Sequence, residues 1–86
     1  MDTWRILINE QLQINGETFK DIVSITLSEE DLDKEFDSGY GAAEGKSFTA
    51  WTEKYVYFPA VYYGSEWVES IRRNPCDEDT PHIGGQ

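Results

Sequence analysis

The second half of the chain carries the pattern that most limits its fold, a series of short aromatic and β-branched segments separated by turn residues. The segments are 48–51, 55–58, 61–63 and 66–71. Their lengths and aromatic content are typical of paired antiparallel strands. Gly64 suits the first position of a tight hairpin turn, and Pro59, which cannot donate a ladder hydrogen bond, indicates an edge position, a bulge or a bend.

The first half contains another hairpin signal, the dipeptide Asn15-Gly16. The apolar run 4–8 precedes it, and the alternation of Leu12, Ile14 and Phe19 continues on either side of it. Both turn positions of a tight hairpin need a positive φ that Asn and Gly tolerate. We therefore expect a hairpin there. The β-branched segment 22–27 predicts a further strand. A helical stripe is the alternative, formed by Phe19, Ile22 and Val23.

A short acidic helix is predicted over about 29–37. Ser28 can cap its free amides, Asp31 occupies the capping-box position, and acids in the first turn suit the positive end of the helix dipole. Its apolar stripe is limited to Leu32 and Phe36, which we expect to dock on the sheet. The outward-facing carboxylates are Glu29, Glu30, Asp33 and Asp37. A glycine-rich loop over 38–45 follows.

These elements predict an α+β fold, with an antiparallel sheet of about five strands, one short acidic helix and the glycine-rich loop. Eighty-six residues provide one core. We expect a single domain over 1–75. The polar, breaker-rich residues 76–86 predict a flexible tail.

The charge balance limits the partners that the chain can bind directly. Seventeen Asp and Glu oppose seven Lys and Arg, for a net charge of −10. This charge repels phosphates and anionic headgroups, so we expect no direct nucleic-acid or membrane binding. A lone cysteine, Cys76, and the lack of a signal or apolar spanning segment predict a cytoplasmic protein.

No catalytic motif is apparent, and we expect neither enzymatic activity nor a cofactor. The single histidine, His82, lies in the polar tail with Cys76, without the further ligands that zinc needs. Gly45-Lys46-Ser47 resembles the end of a phosphate-binding loop, but Tyr40 stands where that motif requires glycine. Glu66 and Glu69 fall on opposite faces of a strand, which argues against a catalytic acid pair.

A partial calcium-loop pattern leaves one alternative open. Positions one, three, five and twelve of such a loop would be Asp33, Glu35, Asp37 and Glu44. Against this alternative, Ser38 occupies the sixth position, where a sharp turn favours glycine, and the predicted helix overlaps the first half of the loop. A calcium-binding accessory module remains a hypothesis.

The acidic run itself is the leading candidate site, although a solvated helix face would show the same pattern. Six carboxylates in nine residues, 29–37, repel one another with only Lys34 opposing, so a functional gain is expected to offset that cost. The predicted partner-binding residues are Glu29, Glu30, Asp33, Asp37, Tyr40 and Glu44. Aromatic anchors or core residues are expected at Tyr57, Tyr62, Tyr63 and Trp67.

In size, charge and the clustered acids at 29–44, the chain resembles the small acidic inhibitors encoded by phages and other mobile elements, including anti-CRISPR proteins and DNA mimics. The resemblance implies a non-enzymatic decoy that occupies the basic nucleic-acid groove of a CRISPR effector, another nuclease or a DNA-binding protein in the host cytoplasm. Immunity proteins that neutralise nuclease toxins share this size and charge. An exposed sheet edge beside Pro59 would also allow two copies to pair.

Overall fold

The computed structural model describes residues 2–36, 45–62 and 65–83. The elements in chain order are α1 (Trp4–Ile14), a 3₁₀ turn (Phe19–Asp21), β1 (Ser24–Ile25), α2 (Glu29–Asp33), β2 (Ala50–Trp51), β3 (Tyr55–Tyr62) and β4 (Ser65–Arg72). The strands form one antiparallel sheet in the order β1-β2-β3-β4. The α+β class is confirmed, and the described residues contain four strands instead of the five expected.

The expected N-terminal hairpin is wrong, because residues 4–14 form helix α1. The Thr3 side chain caps this helix by accepting a hydrogen bond from the Ile6 amide at 3.2 Å. The buried side chains follow helical spacing and are Trp4, Leu7, Ile8 and Leu12. Ile6 and Ile14, which a strand would place on the same face as Trp4, are exposed.

The Asn15-Gly16 dipeptide ends α1 instead of turning a hairpin. Gly16 has a φ of +74°, and its amide donates to the Gln13 carbonyl at 3.0 Å. The next amide, Glu17, donates to the Leu12 carbonyl at 2.8 Å. These two bonds form a Schellman motif, which satisfies carbonyls at the helix end and requires the same left-handed conformation that suits a tight hairpin.

Two of the predicted elements are shorter than expected. In the segment 22–27 only β1 forms strand pairs. Helix α2 ends at Asp33, because Lys34 is already extended, with φ −72° and ψ 125°. Phe36 then exchanges backbone hydrogen bonds with Asp2 at 2.9 and 3.0 Å, so pairing with the N-terminal segment replaces another helical turn. Residue 37 and most of the glycine-rich loop lie outside the described residues.

The antiparallel pairing expected in the second half is confirmed, but residues 55–58 and 61–62, expected in separate segments, belong to one continuous strand, β3. Strands β2 and β3 pair antiparallel, and β3 and β4 pair along their whole length. Pro59 pairs with Val68, two residues past the last β2 contact at Tyr57, where no other described strand flanks β3. Tyr62 pairs with Ser65, so the connection is residues 63–64, which lie outside the described part of the chain. The turn position predicted for Gly64 therefore falls outside the described residues.

The core lies between α1 and one face of the sheet, which we call the inner face. Ser70 of β4 and Tyr57 of β3 are paired, point to this face and contact α1. The buried cluster consists of Trp4, Leu7, Ile8, Leu12, Leu27, Leu32, Phe36, Phe48, Ala50, Tyr57 and Val68. The opposite face, which we call the outer face, bears the alternate residues of β3 and β4.

Truncation of the buried stripe of α1 should destabilise the fold. Ile8 is fully buried, whereas Ile14, in the same helix, is 75% exposed. We expect Ile8→Ala to lower the free energy of unfolding by about 2–4 kcal/mol, since it removes core contacts and leaves a cavity. Ile14→Ala should change it by less than about 0.5 kcal/mol. Urea unfolding followed by circular dichroism measures both, and equal effects would contradict the helical assignment of α1.

Candidate functional site

Two carboxylates of α2 are held by an arginine from α1. Arg5 Nη2 lies 2.7 Å from Glu29 Oε1, and Arg5 Nε lies 2.7 Å from Asp33 Oδ1. A second contact joins Arg5 Nη2 to Asp33 Oδ2 at 3.2 Å, so the guanidinium grips this carboxylate with two nitrogens. The guanidinium also lies over the Phe19 ring, 5.6 Å from its centroid. Because Glu29 and Asp33 are four residues apart, one helix face presents both.

The Arg5 contact stabilises the charged forms of its partners. Hydrogen bonds from Arg5 lower the pKa of Asp33 below its ordinary value, and the two carboxylates raise the pKa of Arg5. The Glu29 and Asp33 side chains nevertheless stay 84% and 60% exposed. Arg5 supplies one positive charge against two negative ones, so the group remains negative and open to solvent.

Asp31 stabilises the N-terminus of α2. One of its carboxylate oxygens accepts from the Ser28 amide at 3.1 Å, while Ser28 Oγ accepts from the Asp31 amide at 3.1 Å, forming a capping box. Lys46 Nζ lies 3.1 Å from the same carboxylate. The Ser28 amide, followed by Lys46, lowers the pKa of Asp31.

The structure brings together three of the six predicted partner-binding residues, and we call this group the acidic face: Glu29, Glu30 and Asp33. The others, Asp37, Tyr40 and Glu44, lie outside the described residues. The expectation that only Lys34 opposes the acidic run is wrong, because Arg5 and Lys46 also reach it. Neither is close in sequence to its partners.

The calcium-loop alternative gains no support from the described residues. Asp33, its first ligand position, is held by Arg5. In the ranges 2–36, 45–62 and 65–83, no group of three or more His, Cys, Asp or Glu side chains is arranged to hold a metal ion. The later ligand positions, from 37 to 44, fall in the gap between these ranges.

A buried polar network joins the end of α1 to the inner face. Tyr57 is fully buried, and its hydroxyl donates to Glu17 Oε1 at 2.5 Å and accepts from Asn15 Nδ2 at 3.1 Å. Asn15 Nδ2 and Gln11 Nε2 both donate to Ser70 Oγ, at 2.9 and 3.0 Å. Burial and the neighbouring Glu17 raise the pKa of Tyr57 far above its ordinary value, so the phenol remains a donor. Tyr57 is thus a core residue and not an interface anchor.

A buried carboxylate holds the segment that begins at Gly45. Glu66 accepts from the Gly45 amide with both oxygens, at 3.0 and 3.2 Å. A Cβ on Gly45 would lie 2.4 Å from the Trp4 ring, so only glycine allows this approach. The Trp4 indole N–H also donates to the Lys46 carbonyl at 2.9 Å.

The outer face of the sheet is apolar and aromatic. Residues that pair across strands point to the same side, so the register assigns this face directly. Its apolar members, which we call the aromatic face, are Trp51, Val56, Phe58, Ala60, Tyr62, Trp67 and Ile71. Of the predicted aromatic anchors, Tyr62 and Trp67 lie here and Tyr63 lies outside the described residues. Sequence reasoning did not identify Trp51 and Phe58, which look like ordinary strand residues until the helices are known to cover the other face.

Comparisons with protein-family models, with curated proteins and with solved structures gave no match to this chain. Among the described residues, no helix is both long and apolar enough to cross a membrane. The function of the protein therefore has to be inferred from its own surface. The acidic face and the aromatic face are the two most distinctive groups of side chains on that surface.

Acid should weaken the fold partly through Asp33. Since folding lowers its pKa, the unfolded chain takes up a proton more readily, and the stabilisation present at neutral pH is lost below about pH 4. We expect the melting temperature of the wild type to fall more between pH 7 and pH 3 than that of Asp33→Asn. Glu30→Gln, which removes an exposed acid of the same helix, should fall like the wild type. If the melting temperature of Asp33→Asn fell as far as that of the wild type, the result would contradict the Arg5 contact.

Removal of the Tyr57 hydroxyl should destabilise the protein, because it deprives buried Glu17 of its donor. We expect Tyr57→Phe to cost about 1–3 kcal/mol of unfolding free energy in chemical denaturation. The matched control is Tyr55→Phe. The Tyr55 hydroxyl accepts from exposed Arg72 at 3.3 Å, so its removal should change the free energy of unfolding by less than about 0.5 kcal/mol. A negligible effect of Tyr57→Phe would show that water can replace the network.

Proposed function

We propose that this protein is a non-enzymatic inhibitor that binds the basic nucleic-acid groove of a larger host protein through its acidic face. The partner class comprises CRISPR effectors, other nucleases and DNA-binding proteins. The proposed surface includes Glu29, Glu30 and Asp33 and extends through Asp37, Tyr40 and Glu44. A host-cytoplasmic location belongs to the proposal, in keeping with the single cysteine, Cys76.

One observation carries the proposal: Arg5 holds Glu29 and Asp33 at fixed positions without covering them. Exposed acidic side chains ordinarily lose rotamer freedom when they bind, which reduces affinity. A carboxylate pair that is already held in place loses less rotamer freedom, so its binding costs less affinity. Glu30 is also exposed, and it adds a negative charge in the same helical turn as Glu29.

The charge of the whole molecule favours the same partners. A net charge of −10 on a 9.9 kDa protein draws a cationic groove toward it and accelerates the encounter. The same negative charge repels the phosphates of nucleic acid itself. The chain would therefore compete with nucleic acid for a basic protein, and salt should weaken the complex because it screens the attraction.

The experiment begins by capturing the partner from host lysate on the immobilised chain at about 50 mM salt, with elution at about 500 mM. The purified partner is then titrated with the chain in the presence and absence of its nucleic acid. Mutually exclusive binding is expected. A stable ternary complex of chain, partner and nucleic acid would contradict a shared groove.

Charge reversal in α2 should weaken this binding more than the same reversal elsewhere. Glu30→Lys reverses an acid that has no ion-pair partner among the described residues, so it leaves the Arg5 contacts intact. We expect it to raise the Kd about tenfold or more and to reduce the salt dependence. Glu53→Lys, an exposed acid between β2 and β3, makes the same change in net charge. An equal rise in Kd for Glu30→Lys and Glu53→Lys would contradict the assignment of the acidic face as the binding site.

An immunity protein that neutralises a nuclease toxin is the second candidate, because it would present the same charge to a basic nuclease. The captured partner separates the two. A toxin whose lethality disappears when the chain is co-expressed supports the immunity protein, whereas a defence nuclease or DNA-processing protein supports the inhibitor.

A further inference from the structure

The aromatic face is the other surface that needs explanation. Antiparallel sheets with one face in water usually place polar side chains there. Here two tryptophans, Trp51 and Trp67, are only half-buried on that face, and Tyr62 and Ile71 are 45% and 42% exposed. Contiguous exposed apolar surface of this kind commonly marks a contact site.

Neither helix covers this face. The buried residues of α1 and Leu32 of α2 belong to the cluster that contains Ala50, Tyr57 and Val68. These three strand residues alternate with the members of the aromatic face, so they point to the other side of the sheet. The acidic face and the aromatic face therefore belong to different layers of the molecule.

One charged residue, Glu69, lies among the aromatic side chains. It pairs with Phe58 across the strands and follows Trp67 by two residues, so all three share the outer face. The Trp67 indole N–H donates to Glu69 Oε2 at 2.8 Å, which holds the carboxylate beside the ring. No lysine or arginine in the described ranges forms an ion pair with Glu69.

This arrangement suits an arginine. A guanidinium can donate two hydrogen bonds to a carboxylate and stack its planar face on a tryptophan ring. Its weak hydration also reduces the cost of leaving water for a largely apolar surface. Lysine offers a point charge without the planar match.

A second copy of the chain suits the surface poorly. Face-to-face pairing would bring Glu69 of each copy into an apolar contact without a cation, and burial of an unpaired carboxylate is costly. It would also join two molecules that each carry a charge of −10. Charge complementarity instead favours a cationic occupant.

We infer that the aromatic face is a docking surface for an arginine-bearing segment of another protein, with the guanidinium over the Trp67 ring and hydrogen-bonded to Glu69, and with apolar side chains over Trp51 and Phe58. This inference is independent of the proposed inhibitor function, because it concerns the opposite layer and does not require a nucleic-acid groove.

The test uses a capped ten-residue peptide in which arginine and leucine alternate, and a matched peptide with neutral citrulline in place of each arginine. Each is titrated into the full-length protein and followed by two-dimensional ¹⁵N–¹H NMR. The indole signals of Trp51 and Trp67 should shift. The buried Trp4 indole, bonded to the Lys46 carbonyl, serves as the internal control and should not shift.

Glu69→Gln should raise the Kd for the arginine peptide about fivefold to tenfold, while glutamine can still accept the Trp67 hydrogen bond. Glu53→Gln removes the same charge elsewhere and should have little effect. In the Glu69→Gln protein the preference for the arginine peptide over the citrulline peptide should shrink, because the two changes remove one shared contact. The preference that remains comes from general attraction to the net negative charge.

Three results would overturn the inference. Equal weakening by Glu69→Gln and Glu53→Gln would show only general charge attraction. Shifts confined to α2, with none at Trp51 and Trp67, would assign the peptide to the acidic face. Self-association in analytical ultracentrifugation that Trp67→Ser abolishes would identify a second copy as the occupant.

Discussion

The packing of Trp4 is the constraint on which the rest of the structure depends. Its ring lies 4.8 Å from Phe36 and 4.9 Å from Phe48, measured between ring centroids, and its indole N–H is bonded to the Lys46 carbonyl. Trp4 of α1 thus connects Phe36, which follows α2, to Lys46 and Phe48, which precede β2. The close approach of Gly45 completes this contact. Without it, the segment that ends at Phe36 and the segment that begins at Gly45 would lose their common support.

The two surfaces follow from the placement of α1. A small domain can cover only one face of a four-stranded sheet with an eleven-residue helix, so the other face stays in contact with solvent. The same helix carries Arg5 to α2, where it orders two carboxylates that would otherwise repel each other. The acidic face is therefore arranged by the core packing behind it, and the aromatic face is what that packing leaves uncovered.

The accuracy of the sequence reasoning depended on how local each signal was. Pairing of β2 with β3 and of β3 with β4 was predictable, because consecutive strands and short connections produce it. Helix α1 was mistaken for a hairpin, because Asn15-Gly16 serves a Schellman motif as well as a tight turn. The sequence signal that favoured a helix was the spacing of Trp4, Leu7, Ile8 and Leu12 at i, i+3, i+4 and i+8. The structure buries all four, including the adjacent pair Leu7 and Ile8, which a strand would place on opposite faces.

By itself, the sequence determined the net charge, the concentration of acids around α2, the capping box at Ser28 and the antiparallel order of the later strands. These depend on composition and on neighbours within a few residues. Only the tertiary structure decided that Arg5 meets Glu29 and Asp33 across 24 and 28 residues, and that Tyr57 is fully buried while Trp67 is only half-buried. Such contacts depend on which face of the sheet the helix covers, and the strand pattern alone is compatible with either.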